Sequence, residues 1–227
     1  MDEIRLEESA LFRGIPEDRL EICCNMLKGR IRICRGQETV QRPGDPLQGI
    51  GLVLSGEVEA AREHLQGRRT MVAVLRPGDL FGEAAALGML GSAPVAITAR
   101  TSCRIWFFSP AALFDPSREL LELRTILQRN LLTILASKTL MLGERLEILG
   151  QKTIKGKLAA YLLPRAPGQP GTWFGIPHSR TGLAELLSTD RSALSRALSE
   201  LKRDGILMVD GNRFCLTDPD KLAAWLA

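Results

Sequence analysis

The sequence predicts an α+β chain: a β jelly roll, then one long helix, then a winged helix-turn-helix. Three observations carry this. Residues 29–109 break into short apolar runs separated by turns, the pattern of a β-sandwich or jelly roll. From about Ser117 to Leu149 there is no proline and one glycine, Gly143, in an apolar stretch with 3/4 spacing. Beyond it, two helical patterns flank a three-residue break and precede two apolar runs around Asp210-Gly211. A chain of 227 residues, 45% hydrophobic, has enough apolar material for two cores.

Leu11 to Pro16 reads as a loop entering a helix over 17–27, with Leu20, Cys23, Cys24 and Leu27 on one face. Strands are expected at 31–34, 38–41, 50–54, 57–63, 69–75, 95–99 and 103–108. Two turns repeat, Pro43-Gly44-Asp45 and Pro77-Gly78-Asp79. Proline at the second position with glycine at the third specifies a type II turn.

A helix over 117–149 would be about 48 Å long at ~1.5 Å per residue. A helix that long is seldom supported by its own domain alone. Leu120, Leu127, Leu131, Ile134 and Met141 form one stripe; Leu123, Leu132, Leu135, Leu142 and Leu146 widen the apolar surface. One stripe can pack on the β-domain while the other meets a second copy of the helix. The first stripe is taken as the dimer contact. Three segments follow: 1–116, 117–149 and 150–227, with 150–156 as the hinge.

In the last segment, Ser179 caps a short helix over 180–187, and Ser188-Thr189-Asp190 is the break. Asp190 then suits the N-cap of a helix whose Leu194, Ala197, Leu198 and Leu201 lie on one face. The opposite face carries Ser192, Ser195, Arg196 and Ser199, with Arg191 at its edge. An ordinary solvated face would carry Glu and Lys. Short hydroxyls let a helix approach another surface, and arginine pairs bidentately with guanine in a major groove. Thr172 to Pro177 is read as a short strand packing under the wing.

At this point the chain resembles the family of the cyclic-AMP receptor protein and the fumarate-nitrate reductase regulator, bacterial transcription factors abbreviated CRP/FNR. The residues carrying the resemblance are Gly182 to Leu187, Ser195 to Leu198, and Leu201 to Leu207. In the β-region they are Ile50 to Val58 and Leu75 to Glu83. The likeness spans nearly the whole chain. It implies a cyclic-nucleotide-binding-like jelly roll, a dimerisation helix, and two-fold symmetric double-stranded DNA as a partner. It also implies a small-molecule effector and, for an activator, RNA polymerase. The matching Ser195-Arg196 pair implies that Arg196 makes the main base contact. Arg191 and Ser192 read or support neighbouring bases. Arg180, Thr189 and Ser195 hold phosphates, with Ser199 and Lys202 completing the surface. The family usually has glycine where this chain has Ser188; if that position needs positive φ, serine costs about 1 kcal/mol more.

In nucleotide-binding members, a phosphate cassette runs from Phe-Gly-Glu to an arginine about ten residues on. Its start is intact here as Phe81, Gly82 and Glu83, followed by Ala84. Alignment on Ala99 to Cys103 puts Ala93 or Pro94, next to Val95, at the arginine position. No cation occurs from Phe81 to Ala99. A buried phosphate would lack its charge-assisted partner, so cAMP and cGMP are not the expected effectors.

The net charge is +4, and ten basic residues against five acidic ones lie between Lys152 and Arg213. That suits a nucleic-acid surface. No stretch reaches about 18 uninterrupted apolar residues, and the acidic start lacks a signal-like apolar region. Five cysteines are read as reduced thiols of a cytoplasmic protein. Cys23 and Cys24 are adjacent on a helix and point about 100° apart, which does not build an iron–sulfur clamp with Cys34. They are read as small core residues. Neither His64, near a hairpin tip, nor His178, before the helix-turn-helix, falls in the β-core where a haem would need a ligand. Hence no cofactor and no metal are assigned. Thiol sensing through Cys34 or Cys103 stays open. There is no P-loop, zinc-spaced set or nucleophile elbow, so no enzyme is expected. The competing reading, a regulatory module acting on a protein partner, does not need a winged helix.

Overall fold

A computed structural model describes residues 3–63, 69–88, 90–116 and 120–226. His64 and Ser117 lie outside them. The chain forms two compact units, 1–135 and 136–227, and the boundary falls inside the long helix.

In the first unit, helix α1 (Leu20–Met26) precedes the strands. These are β1 (Arg30–Cys34), β2 (Thr39–Gln41), β3 (Ile50–Ser55), β4 (Val58–Glu63), β5 (Arg69–Leu75) and β6 (Leu80–Phe81). Helix α2 (Glu83–Leu87) comes next, then β7 (Ala96–Ala99) and β8 (Cys103–Phe108). The sequence reading omits β6, which has only two residues. Two four-stranded antiparallel sheets form, in the orders β1-β8-β3-β6 and β2-β7-β4-β5. Val53, Cys103, Ile105 and Phe107 face the space between the sheets with Val40, Val58 and Ile97. Their neighbours Leu52, Leu54, Trp106 and Phe108 face the other way, against Phe12, Leu27 and Leu113. Both faces of β3 and β8 are therefore covered. That is why they read as continuous apolar runs rather than alternating ones.

Both Pro-Gly-Asp turns have glycine in the left-handed region, Gly44 at φ 85° and Gly78 at φ 97°. Each aspartate closes its turn by accepting from the backbone N–H three residues earlier, at 2.8 Å for Asp45 and 2.7 Å for Asp79.

Helix α3 runs Leu121–Gly150. Its start corrects the expected one: Leu120 has φ 56° and stands outside the helix. The dimer stripe is corrected as well. Leu127 and Leu131, 0% and 2% exposed, are built into the first unit's own core, with Leu120 and Ile134 packed against it. Leu127 and Leu131 therefore leave no surface for a second copy, whereas Leu120 and Ile134 are only half-buried. Met141, 68% exposed, keeps that possibility, and Leu132, Leu140, Leu142 and Leu146 are exposed with it.

In the second unit, α4 (Ile154–Leu162) is capped by Thr153, whose hydroxyl accepts from the Gly156 N–H at 2.9 Å. Strand β9 (Trp173–Gly175), α5 (Arg180–Leu186), α6 (Arg191–Arg203), β10 (Leu207–Asp210), β11 (Arg213–Leu216) and α7 (Pro219–Ala223) follow. The sheet order is β10-β11-β9, so β9 is a third strand of the wing's sheet rather than a layer beneath it. Leu158, Tyr161, Leu183, Leu187, Leu194, Leu198, Leu201 and Phe214 meet in one core.

Candidate nucleic-acid interface and effector pocket

The second unit's reading head is set by two helix ends. Helix α5 stops in a Schellman motif: the Ser188 N–H bonds Glu185 O at 3.1 Å and the Thr189 N–H bonds Ala184 O at 2.9 Å. This puts Ser188 at φ 46°, the conformation that favours glycine. Lys157, reaching from α4, donates to Leu187 O at 2.9 Å and fastens the same turn. Nothing in the local pattern points to that lysine, because its partner is 30 residues away.

Asp190 occupies the N-cap of α6 with extended backbone, but its carboxylate makes no cap hydrogen bond. Leu194, Ala197, Leu198 and Leu201 are buried, as their spacing requires. Arg191, Ser192, Ser195, Arg196, Ser199 and Lys202 are exposed on α6. Arg180 and Thr189 are half-buried. The Arg180 guanidinium lies 5.2 Å from the centre of the Phe214 ring, and burial lowers its pKa from the ordinary arginine value. The Ser195 hydroxyl donates to Arg191 O and the Ser199 hydroxyl to Ser195 O, both at 2.9 Å. Their lone pairs are left outward as acceptors. A groove of about 440 Å³ runs past Ser195, Arg196, Ser199, Glu200 and Arg203.

In the first unit, the residues expected to hold an effector lie at the end of β6, the start of α2 and just before β7. Phe81 is buried edge-on to Phe107 at 5.7 Å and covers Gly51 so closely that a Cβ there would meet its ring at 2.3 Å. Gly82, at φ 80°, caps α2. Glu83 is 6% exposed, whereas Ala84 faces solvent. Ala93 is buried; its N–H donates to Asp45 O and its carbonyl accepts from the Gly44 N–H, both at 2.9 Å. Pro94 is exposed and Val95 half-buried against the inter-sheet core. Ala93 is thus tied to the Pro43-Gly44-Asp45 turn, whereas Phe81 and Val95 share the inter-sheet core.

Cys34 and Cys103 are directly opposed on β1 and β8 and fully buried. Burial pushes the Cys103 thiol up to about 12 and raises that of Cys34. Cys23 belongs to the other apolar cluster, and Cys215 is buried in the second unit. His178 packs its ring 5.9 Å from that of Tyr161. Among the described residues, no three His, Cys, Asp or Glu side chains converge on one point.

Comparison with known proteins separates the same two parts. Residues 21–115 match the model of the cyclic nucleotide-binding domain, and residues 156–225 match that of the Crp-like helix-turn-helix domain. The chain belongs to the CRP/FNR family of transcription regulators.

A CRP-like cAMP-activated global transcriptional regulator of Mycobacterium tuberculosis is 25% identical, covering 98% of each chain. The transcriptional activator protein FnrL of Cereibacter sphaeroides is 28% identical over 78% of this chain and 71% of its own. The crystal structure of the Thermus thermophilus catabolite activator protein shares the fold, with a TM-score of 0.53 at 24% identity, covering 96% of this chain and 100% of that one. The domains and relatives of this CRP/FNR regulator are those of DNA-binding transcription regulators, not of enzymes. No described helix is long and apolar enough to cross a membrane.

Proposed function

We propose that this CRP/FNR regulator works as an effector-gated homodimer that reads a two-fold symmetric DNA site through α6. The observation that carries this is the exposed face of α6, where Arg191, Ser192, Ser195, Arg196, Ser199 and Lys202 stand over a fully apolar buried face. In this reading Arg196 pairs with a guanine, Arg191 and Ser192 work on neighbouring bases, Arg180, Thr189 and Lys202 hold the backbone, and Ser195 joins them by turning its hydroxyl proton from Arg191 O to a phosphate, with Ser199 beside it. Half-sites lie about one helical turn, ~34 Å, apart. The dimer contact uses the exposed Met141 and its neighbours Leu140, Leu142 and Leu146 rather than the buried Leu127 and Leu131. An activator of this kind also meets RNA polymerase.

The effector is neither cAMP nor cGMP. Supporting this, Ala93 and Pro94, the two residues that alignment offers for the phosphate-binding arginine, carry no charge, and 81–99 contains no cation. A phosphate desolvated there would go unpaired. The effector is a small, less charged molecule held near Phe81, Gly82, Glu83, Ala84, Ala93, Pro94 and Val95.

The test is selection of binding sites from random DNA with wild type, Arg196→Ala and Lys202→Ala. Arg196→Ala should lose preference at one base pair, worth ~1–3 kcal/mol of discrimination. Lys202→Ala should weaken all sequences alike and reduce the salt slope by roughly one. Equal weakening of every sequence by Arg196→Ala would make Arg196 a backbone clamp and move the reading role to Arg191.

A further inference from the structure

A second cleft, of about 450 Å³, shares Arg196 and Glu200 with the first and opens between α6, the start of α4 and Trp225. It holds a charge arrangement that the reading head described above leaves unused. Lys155 pairs with Glu200 at 2.8 Å, and its ammonium lies 4.4 Å from the centre of the Trp225 ring. The lysine side chain is only 16% exposed, whereas that of Glu200 is 46% exposed. Glu200 is one turn beyond Arg196 on α6. The hydrogen bond from Lys155, followed by the charges of Lys155, Arg203 and Arg196, holds its carboxyl below the usual carboxylate range. Glu200 is thus a fixed anion at the edge of the cationic face.

Phosphate contacts by lysine and arginine supply nearly all of non-specific DNA binding, whereas base contacts specify. A cation already neutralised inside the domain releases no counterion from DNA. An anion in the same cleft repels a phosphate. We propose that Glu200 is a specificity-setting residue: by holding Lys155 it withdraws one cation from the phosphate backbone, keeping affinity for arbitrary DNA low while Arg196 remains free to read bases. This rests on the reading that the Arg196 face of α6 meets DNA. The arrangement suits the role because Lys155 and Arg196 line one cleft, so a phosphate beside Arg196 would compete with Glu200 for the lysine.

The experiment uses the full chain and two duplexes of equal length and composition, one carrying the selected site and one scrambled. Fluorescence anisotropy at several salt concentrations compares wild type, Glu200→Gln, Glu200→Asp, Lys155→Met, the Glu200→Gln/Lys155→Met double variant and Arg196→Ala. Glu200→Gln should tighten the scrambled duplex several-fold and steepen its salt slope by roughly one. The ratio of selected to scrambled affinity should fall. Glu200→Asp, which keeps the anion, should behave as wild type, and the double variant should return to the wild-type slope. Unchanged scrambled affinity in Glu200→Gln would overturn the proposal. So would a steeper slope that persists without Lys155. Equal weakening on both duplexes with a lower melting temperature would show that the pair only fastens α4 to α6, and would overturn it too. The Arg196→Ala arm is separate: if it keeps its base preference, the reading of α6 fails, whatever Glu200 does on scrambled DNA.

Discussion

Replacing Ser188 by glycine should stabilise the second unit. Ser188 sits at φ 46° in the Schellman motif that ends α5. An L-residue in that region costs roughly 1–2 kcal/mol, whereas glycine costs nothing sterically but loses more backbone freedom on folding, by roughly 0.5–1 kcal/mol. The net gain is about 0.5–1 kcal/mol. For a unit of this size each kcal/mol moves the melting temperature by about 4–8 °C, so a rise of about 3–6 °C is expected. The molecule contains its own control. Helix α6 ends in the same motif, with the Gly205 N–H on Lys202 O at 3.1 Å and the Ile206 N–H on Leu201 O at 3.0 Å. There the left-handed residue is Gly205 itself, at φ 69°, and a Cβ would meet nothing within 4 Å. Gly205→Ser should therefore lower the melting temperature by a similar amount, for backbone reasons alone. Differential scanning calorimetry of the full chain, following the transition of the second unit, measures both. Affinity for the selected duplex should be unchanged in Ser188→Gly, because the turn is held by backbone groups and by Lys157, all of which remain. A melting temperature that stays level or falls in Ser188→Gly would refute the reasoning.

Three further outcomes are expected. Met141→Glu should lower the mass seen by light scattering from dimer to monomer with both units still folded; Leu127→Ala should instead destabilise the first unit by about 2–5 kcal/mol, as a core truncation does. A Met141→Glu protein that stays dimeric would rule out this face of α3. Calorimetry with cAMP or cGMP should give no heat of binding at micromolar concentration, and a micromolar dissociation constant for either would show the cassette argument wrong. Stability should fall as pH rises above 9, the ordinary thiol value. The unfolded chain then releases protons that folded Cys23 and Cys103 hold until about 11 and about 12. Urea midpoints on either side of pH 9 check this, and the loss should be smaller in Cys103→Ala.

What the sequence determined by itself was mostly local. The spacing of Leu194, Ala197, Leu198 and Leu201 dictates which face of α6 is buried, because helical periodicity leaves no other choice. Pro-Gly-Asp dictates the turns at 43–45 and 77–79, because the required φ values exclude most other residues. The missing cation between Phe81 and Ala99 is visible without any coordinates. Only the tertiary structure decided which leucines of α3 are spent on the first unit, since periodicity gives apolar stripes but not the partner of each. It also decided that polar residues would join them. Buried Arg124 donates to Ala112 O at 3.1 Å, and Asn130 donates to Leu11 O and Arg13 O at 2.8 Å. Those carbonyls belong to two short 3-10 helices and the residue after one of them, 12 residues from Arg124 and 117–119 from Asn130, and they need donors once buried. The pairing of Cys34 with Cys103 and of Lys155 with Glu200 has the same character. Each joins residues that no local pattern relates, so each became visible only when strand register and helix packing put them side by side.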